Sequence, residues 1–177
     1  MKPGRTRLLV DAVAFAAYKH QRQRRKDAEA SPYINHPIAL ARVLSVEGGV
    51  SDTTLLAAAV LHDTLEDTET TFEELKERFG AAVAAVVLEV TDDKSLPKKE
   101  RKRLQIQHAA RISRRAKLVK LADKICNVRD VAASPPRTWP LRRRRQYFDW
   151  AKAVVGRMRG THRRLERLFD EAYRLRP

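Results

Sequence analysis

The segment Leu61-His-Asp-Thr-Leu-Glu-Asp67 sets one imidazole and three carboxylates at the end of a strongly apolar run. On helical spacing His62 and Glu66, Asp63 and Glu66, and Asp63 and Asp67 share a face, where bare anions repel one another. A divalent cation held there reverses the sign of that energy. A further acid, Asp123, follows an apolar stretch in Lys117-Leu-Val-Lys-Leu-Ala-Asp-Lys-Ile-Cys-Asn127, with Asn127 one turn along the same face. His36 stands at a loop-to-helix junction in Ser31-Pro-Tyr-Ile-Asn-His-Pro37, where the two prolines restrict the backbone. Each group alone has an ordinary structural reading: a solvated acidic helix end, an amphipathic helix with one acid, a capping histidine. Together, His36, His62, Asp63 and Asp123 offer two neutral imidazoles and two carboxylates. Such a mixed N/O set leaves positions open on a six-coordinate Mn²⁺, Fe²⁺ or Mg²⁺ ion. Open positions on such an ion mean water and substrate.

Helices must position these residues, because apolar periodicity is helical almost throughout. Leu8, Leu9, Ala12, Val13, Ala16 and Ala17 form one stripe, and a polar loop follows from Arg22 to Pro32. Pro37 suits a first helical turn, and Gly48-Gly49 stops that helix. The next helix, expected from Thr53 to Glu66 with Ser51 or Asp52 as its cap, is apolar nearly all round and belongs at the centre of the fold. Thr70-Thr-Phe-Glu73 reads as a capping box ahead of a short helix ending at Gly80. Further helices are expected over Ala81–Val90, Pro97–Ala109, Lys117–Arg129, Leu141–Arg157 and Thr161–Arg174. No hairpin pattern and no 20–50-residue repeat is visible, so the expected class is all-α, one domain over 1–177 with its core at about 8–168.

Composition narrows the function. The chain has 177 residues, 43% hydrophobic and 33% charged, which describes a globular chain and not a disordered tail. A signal peptide and an 18-residue uncharged apolar run are both missing, so no membrane role and a cytoplasmic location are expected. The lone Cys126 excludes an internal disulfide and a cysteine-based zinc framework, leaving His, Asp and Glu to hold any metal. Charge is split: residues 1–90 carry 11 Lys and Arg against 13 Asp and Glu, while residues 91–177 carry 26 against 9. A field of that sign attracts polyanions, and by charge alone nucleic acid, an anionic membrane surface and small phosphorylated metabolites all qualify. Lys98 and Arg143 are candidate phosphate contacts. Tyr147 and Trp139 are candidate stacking surfaces for a base, although the helix bearing Tyr147, Phe148 and Trp150 must bury one or two of them. His20, His108 and His162 lack acidic partners at ligand spacing and read as structural or surface residues.

Four ordered motifs carry a family resemblance: Gln23-Arg-Arg-Lys-Asp27 with Pro32-Tyr-Ile-Asn-His-Pro37, Leu61-His-Asp-Thr-Leu-Glu-Asp67, Glu89-Val-Thr-Asp-Asp93, and Lys120-Leu-Ala-Asp-Lys124 with Asn127. They resemble the HD-domain metal phosphohydrolases, and within them the hydrolase domain of RelA/SpoT homologues, in particular the single-domain small alarmone hydrolases. The resemblance implies Mn²⁺-dependent hydrolysis of the 3′-pyrophosphate of guanosine tetra- and pentaphosphate, with an NADPH phosphatase activity described for the animal-type enzyme. It implies His36, His62, Asp63 and Asp123 as ligands, Glu66 and Asp67 as the pair that orients or deprotonates water, and Arg25 and Lys26 near the nucleotide; Asn127 is a further candidate substrate contact. No synthetase or regulatory region is expected. Two departures stand out, Ala30 where the family usually has glycine, and an unusually basic Gln107–Arg115. The competing readings are a basic nucleic-acid-binding module, which has no use for the His-Asp-Glu-Asp cluster, and an HD-domain 5′-nucleotidase, against which the Arg25-Lys26 and Pro-Tyr-Ile-Asn-His matches speak. A small phosphorylated nucleotide is thus the expected partner, and nucleic acid is disfavoured.

Overall fold

The apolar run Leu55–Leu61 is buried along its whole length, and the rest of the molecule is arranged to enclose it. The computed structural model describes residues 4–177, so the first three residues of the expected domain lie outside it. Among the described residues the fold is all-α: α1 (Arg5–Lys19), α2 (Asn35–Arg42) running into a π-helical turn (Val43–Glu47), α3 (Thr53–Leu61), α4 (Thr64–Asp67), α5 (Phe72–Phe79), α6 (Ala81–Val90), α7 (Lys98–His108), α8 (Arg114–Ala133), α9 (Leu141–Gly156) and α10 (Arg163–Tyr173). Helix α3 starts where the Asp52 carboxylate accepts the Leu55 amide at 3.3 Å, and it packs against α1, α2, α6 and α8. From α1 it receives Ala12, Phe15 and Ala16; from α8, the longest helix, come Leu118, Leu121, Ile125 and Val128. Phe148 of α9 is fully buried, whereas Tyr147 and Trp150 are half-buried, which divides the aromatic trio as its amphipathic helix requires.

Three expectations need correction. The helix expected over Thr53–Glu66 is broken at His62-Asp63, because the Thr64 hydroxyl donates to the Leu61 carbonyl at 2.7 Å and Asp63 turns to φ −98°, ψ 0°. The α5 cap is Thr71, whose hydroxyl accepts the Glu74 amide at 3.1 Å, one residue later than the expected Thr70-Glu73 box. Helix α8 begins before Lys117 and runs past Arg129, since Ser113 accepts the Ala116 amide at 3.2 Å and opens it a turn earlier. Gly48 ends the π-helical turn as expected, and for a packing reason: a Cβ there would lie 2.6 Å from the Leu44 carbonyl oxygen and 2.8 Å from Leu165 of α10.

The loop between α1 and α2 closes on itself through Asp27, which accepts from the Ser31 amide at 3.0 Å and from its hydroxyl, and through an Arg25 amide to Ser31 carbonyl bond of 2.8 Å. Closure forces Ala30 to φ +50°, the left-handed region, which explains the glycine that the family pattern prefers there. Ala30→Gly is therefore expected to raise stability by roughly 0.5–1 kcal/mol, the relief of Cβ strain outweighing the added backbone entropy of the unfolded chain. Equilibrium urea unfolding measures it.

Candidate active site

Three elements converge on one point. The first turn of α2 supplies His36, the end of α3 supplies His62 and the middle of α8 supplies Asp123. One donor atom from each of these lies within 4.8 Å of the others. The two imidazole rings are 5.2 Å apart, and His36 Nε2 is 3.2 Å from Asp123 Oδ1. Asp63 stands beside this group and not within it: its Oδ2 lies 2.9 Å from His62 Nε2 and also accepts the Tyr33 hydroxyl.

The donors suit a cation. His62 Nδ1 donates to the Ala59 carbonyl at 2.8 Å, which fixes the tautomer and leaves the Nε2 lone pair facing Asp63 and Asp123. Nε2 is buried and makes no well-directed hydrogen bond, despite the nearby carboxylate. A lone pair held against two carboxylates repels them until a positive charge sits between. Without a metal ion that charge is a proton. Burial disfavours the His62 imidazolium, but Asp63 and Asp123 outweigh it and push the pKa up to about 9. Burial likewise opposes the charges of Asp63 and Asp123, yet the histidines, with Lys124 at Asp123, hold both carboxyls well below their ordinary value.

The break in the helix gives Glu66 and Asp67 their own short element, α4. Burial, with help from Asp92, Asp63 and Asp67, pushes the Glu66 pKa up to about 7, although the Asp92 amide donates to Oε2 at 3.1 Å and stabilises the anion. A carboxylate poised there can exchange protons near neutrality. Asp67 is paired with Lys94, and its carbonyl accepts from Gln23 Nε2 at 3.0 Å.

Two adjoining cavities share Arg25, Tyr33, His36, Asp67 and Asn127. The smaller, about 200 Å³, is the polar chamber holding His62, Asp63, Glu66 and Asp123. The larger, about 530 Å³, extends over Lys26, Lys98, Trp139 and Tyr147. Arg25 reaches across it to Asn127 Oδ1 at 3.3 Å, and Asn127 in turn donates to Asp123. Lys98 lines this larger cavity, and burial, with the neighbouring Arg143, Lys26 and Arg101, pushes its ammonium below the ordinary value. Arg143 is exposed and does not line the cavity; its guanidinium lies 4.5 Å from the Trp139 ring, which does. Of the histidines read as structural, His162 caps α10, His108 is exposed and His20 is buried against Tyr33.

Spacing does not mark Tyr33, Gln23, Asp92 or Lys120 as part of this site. All four lie in the motifs quoted above, but the partner of Tyr33, Asp63, is 30 residues away, and the buried Lys120 ammonium lines the chamber while donating to the Val90 carbonyl at 3.1 Å.

Known proteins share this architecture. The HD domain family model matches residues 12–147. The protein named guanosine-3′,5′-bis(diphosphate) 3′-pyrophosphohydrolase MESH1 of Xenopus tropicalis is 55% identical over 166 residues, 94% of this chain and 93% of its own. Its Homo sapiens namesake is 52% identical over 168 residues, 95% of this chain and 94% of its own. A solved structure described as a metazoan ortholog of SpoT that hydrolyzes ppGpp superposes with a TM-score of 0.94 at 49% identity, covering 99% of this chain and 98% of that one. With the HD pattern spanning most of its length and about half its residues shared with these proteins, the chain belongs to the HD-domain family.

Proposed function

We propose that this protein hydrolyses guanosine-3′,5′-bis(diphosphate) to GDP and pyrophosphate, and the corresponding pentaphosphate to GTP, with the help of one divalent ion. The observation that carries the reading is the joining of a buried His36, His62 and Asp123 donor group to a larger cavity walled by cations and aromatic rings. A nucleotide with phosphates on both sides of its ribose needs both chambers. The names of the relatives support the same substrate.

His36, His62 and Asp123 would hold the ion, with the adjacent Asp63, 2.9 Å from His62 Nε2, as the fourth donor; such a mixed imidazole and carboxylate set suits Mn²⁺, Fe²⁺ or Mg²⁺, and the family resemblance selects Mn²⁺. When bound, the ion supplies a water that ionises near neutral pH and polarises a phosphoryl oxygen. Glu66 accepts the proton of the attacking water, and Asp67 holds that water in line. The phosphorus nearest the ribose is attacked, its bond to O3′ breaks, and the electron pair leaves with O3′, which is protonated as pyrophosphate departs. Arg25, Lys26 and Lys98 on the cavity wall neutralise the substrate's charges, which phosphoryl transfer requires more than covalent assistance. Tyr147, beside Trp139 at 5.5 Å between ring centroids, offers its face to the base, and Asn127 spans ligand and nucleotide sides.

The test is product analysis by chromatography after incubating Mn²⁺-loaded protein with guanosine-3′,5′-bis(diphosphate), NADPH, a 5′-mononucleotide and single-stranded RNA. GDP with pyrophosphate is the expected yield. Tight retention of the RNA at low salt without turnover of any nucleotide would instead favour the basic binding module.

A further inference from the structure

We propose that Tyr33 is a positioning residue for the metal centre, its hydroxyl fixing the rotation of the Asp63 carboxylate so that Oδ2 stays turned toward His62 Nε2. The inference rests on Asp63 being the fourth ligand of the site described above. A phenol O–H is a fixed-length donor on a rigid ring, so it sets a carboxylate's rotation more firmly than water can. Here the hydroxyl donates to Oδ2, the oxygen that also faces His62 Nε2. The ring itself is held in place by neighbours on several sides. His20 packs at 4.9 Å between centroids, the Arg25 guanidinium lies 5.8 Å from the ring centroid, and His36 meets it edge-on at 6.0 Å. Its backbone is tied at both ends, the Tyr33 amide to the Gln23 carbonyl at 3.2 Å and the His36 amide to the Tyr33 carbonyl at 3.0 Å.

His20 is buried, and its Nδ1 contacts Gln23 Oε1, which turns the Gln23 amide nitrogen toward the Asp67 carbonyl at 3.0 Å. The loop that carries Arg25 and Lys26 thus grips the acidic turn at Asp63 and again at Asp67. A carboxylate without such a donor can turn both oxygens to the ion, the mode that large, flexible coordination shells such as that of Ca²⁺ accept more readily than Mn²⁺ or Mg²⁺. The Tyr33 hydroxyl therefore does two things: it holds Oδ2 toward the His62 side of the centre, and it disfavours the two-oxygen mode.

Tyr33→Phe tests this, because it removes the hydroxyl and keeps the packed ring. Dissociation constants for Mn²⁺ and Ca²⁺ are measured by chelator competition on wild type and variant, with circular dichroism of the metal-free proteins alongside. The variant is expected to bind Mn²⁺ about 10- to 100-fold more weakly and to shift its Ca²⁺ to Mn²⁺ preference toward Ca²⁺. An Mn²⁺ constant within twofold of wild type, or tighter, overturns the proposal while leaving the metal site standing. Wild type that takes up neither ion overturns the metal reading itself. To separate the hydroxyl from general damage, Tyr33→Phe is repeated in an Asp63→Asn background. There it should change Mn²⁺ binding little, and an undiminished effect shows that the hydroxyl does not act through Asp63.

Discussion

His62→Ala is expected to lose its divalent ion and its hydrolase activity together. The imidazole is fixed by the Ala59 carbonyl on one nitrogen and faces Asp63 and Asp123 with the other, so no neighbour can replace it. Removing one of four protein donors should weaken Mn²⁺ binding by more than about 100-fold, beyond the effect typical of losing an outer partner. Measured metal content and kcat fall in parallel. The pH dependence follows from the same group. In the metal-free protein its pKa is about 9, so an entering ion displaces a proton and apparent affinity rises about tenfold per pH unit up to that value. His62→Ala flattens that slope. The folded-state pKa exceeds the ordinary 6.5, so the charged imidazole's stabilisation of the metal-free fold is complete below 6.5 and is lost as pH rises through about 9. Thermal melts with and without Mn²⁺ at pH 6 and pH 9 should therefore diverge most at the higher pH.

Glu66→Gln should keep the metal and lose turnover. The amide still accepts from the Asp92 backbone N–H but cannot take a proton, and acid–base assistance is worth about 10²–10⁴ in kcat. The same change should stabilise the metal-free protein at pH 8. Burial raises the Glu66 pKa from 4.5 to about 7, so wild type loses stability as pH climbs from 4.5 through 7, and the glutamine variant does not. With allowance for solvent screening the gain is on the order of 1–2 kcal/mol. A variant that loses activity while gaining stability marks a residue kept for chemistry. Loss of the ion in Glu66→Gln would instead make Glu66 a ligand.

The sequence displays the helices well because each bears its own apolar stripe and its own stop, as α3 shows through Asp52 at one end and the Leu55–Leu61 run behind it. It conceals the break at His62-Asp63. The periodicity continues through Glu66, and only the Thr64 hydroxyl, by taking the Leu61 carbonyl, ends α3 and turns Glu66 and Asp67 onto a separate element. The expected spacing survives from Asp63 onward, where the Asp67 amide donates to the Asp63 carbonyl at 2.8 Å, and it is the His62 to Glu66 spacing that the break interrupts. The metal donors are legible because imidazoles and carboxylates beside apolar runs are conspicuous; the contacts of Tyr33, Gln23 and Asp92 with Asp63, Asp67 and Glu66 are not, since they span 30, 44 and 26 residues of chain. Lys98 was legible only as charge, and its place on the cavity wall depends on how α7 packs against α9.

The most direct measurement follows oxygen during turnover. Mn²⁺-loaded protein is given guanosine-3′,5′-bis(diphosphate) in ¹⁸O-labelled water, and the products are separated and weighed by mass spectrometry. Attack at the phosphorus nearest the ribose yields pyrophosphate carrying one labelled oxygen and GDP carrying none. Labelled orthophosphate, or label in the GDP, would contradict the placement of the scissile bond between the His36, His62 and Asp123 centre and the cationic cavity.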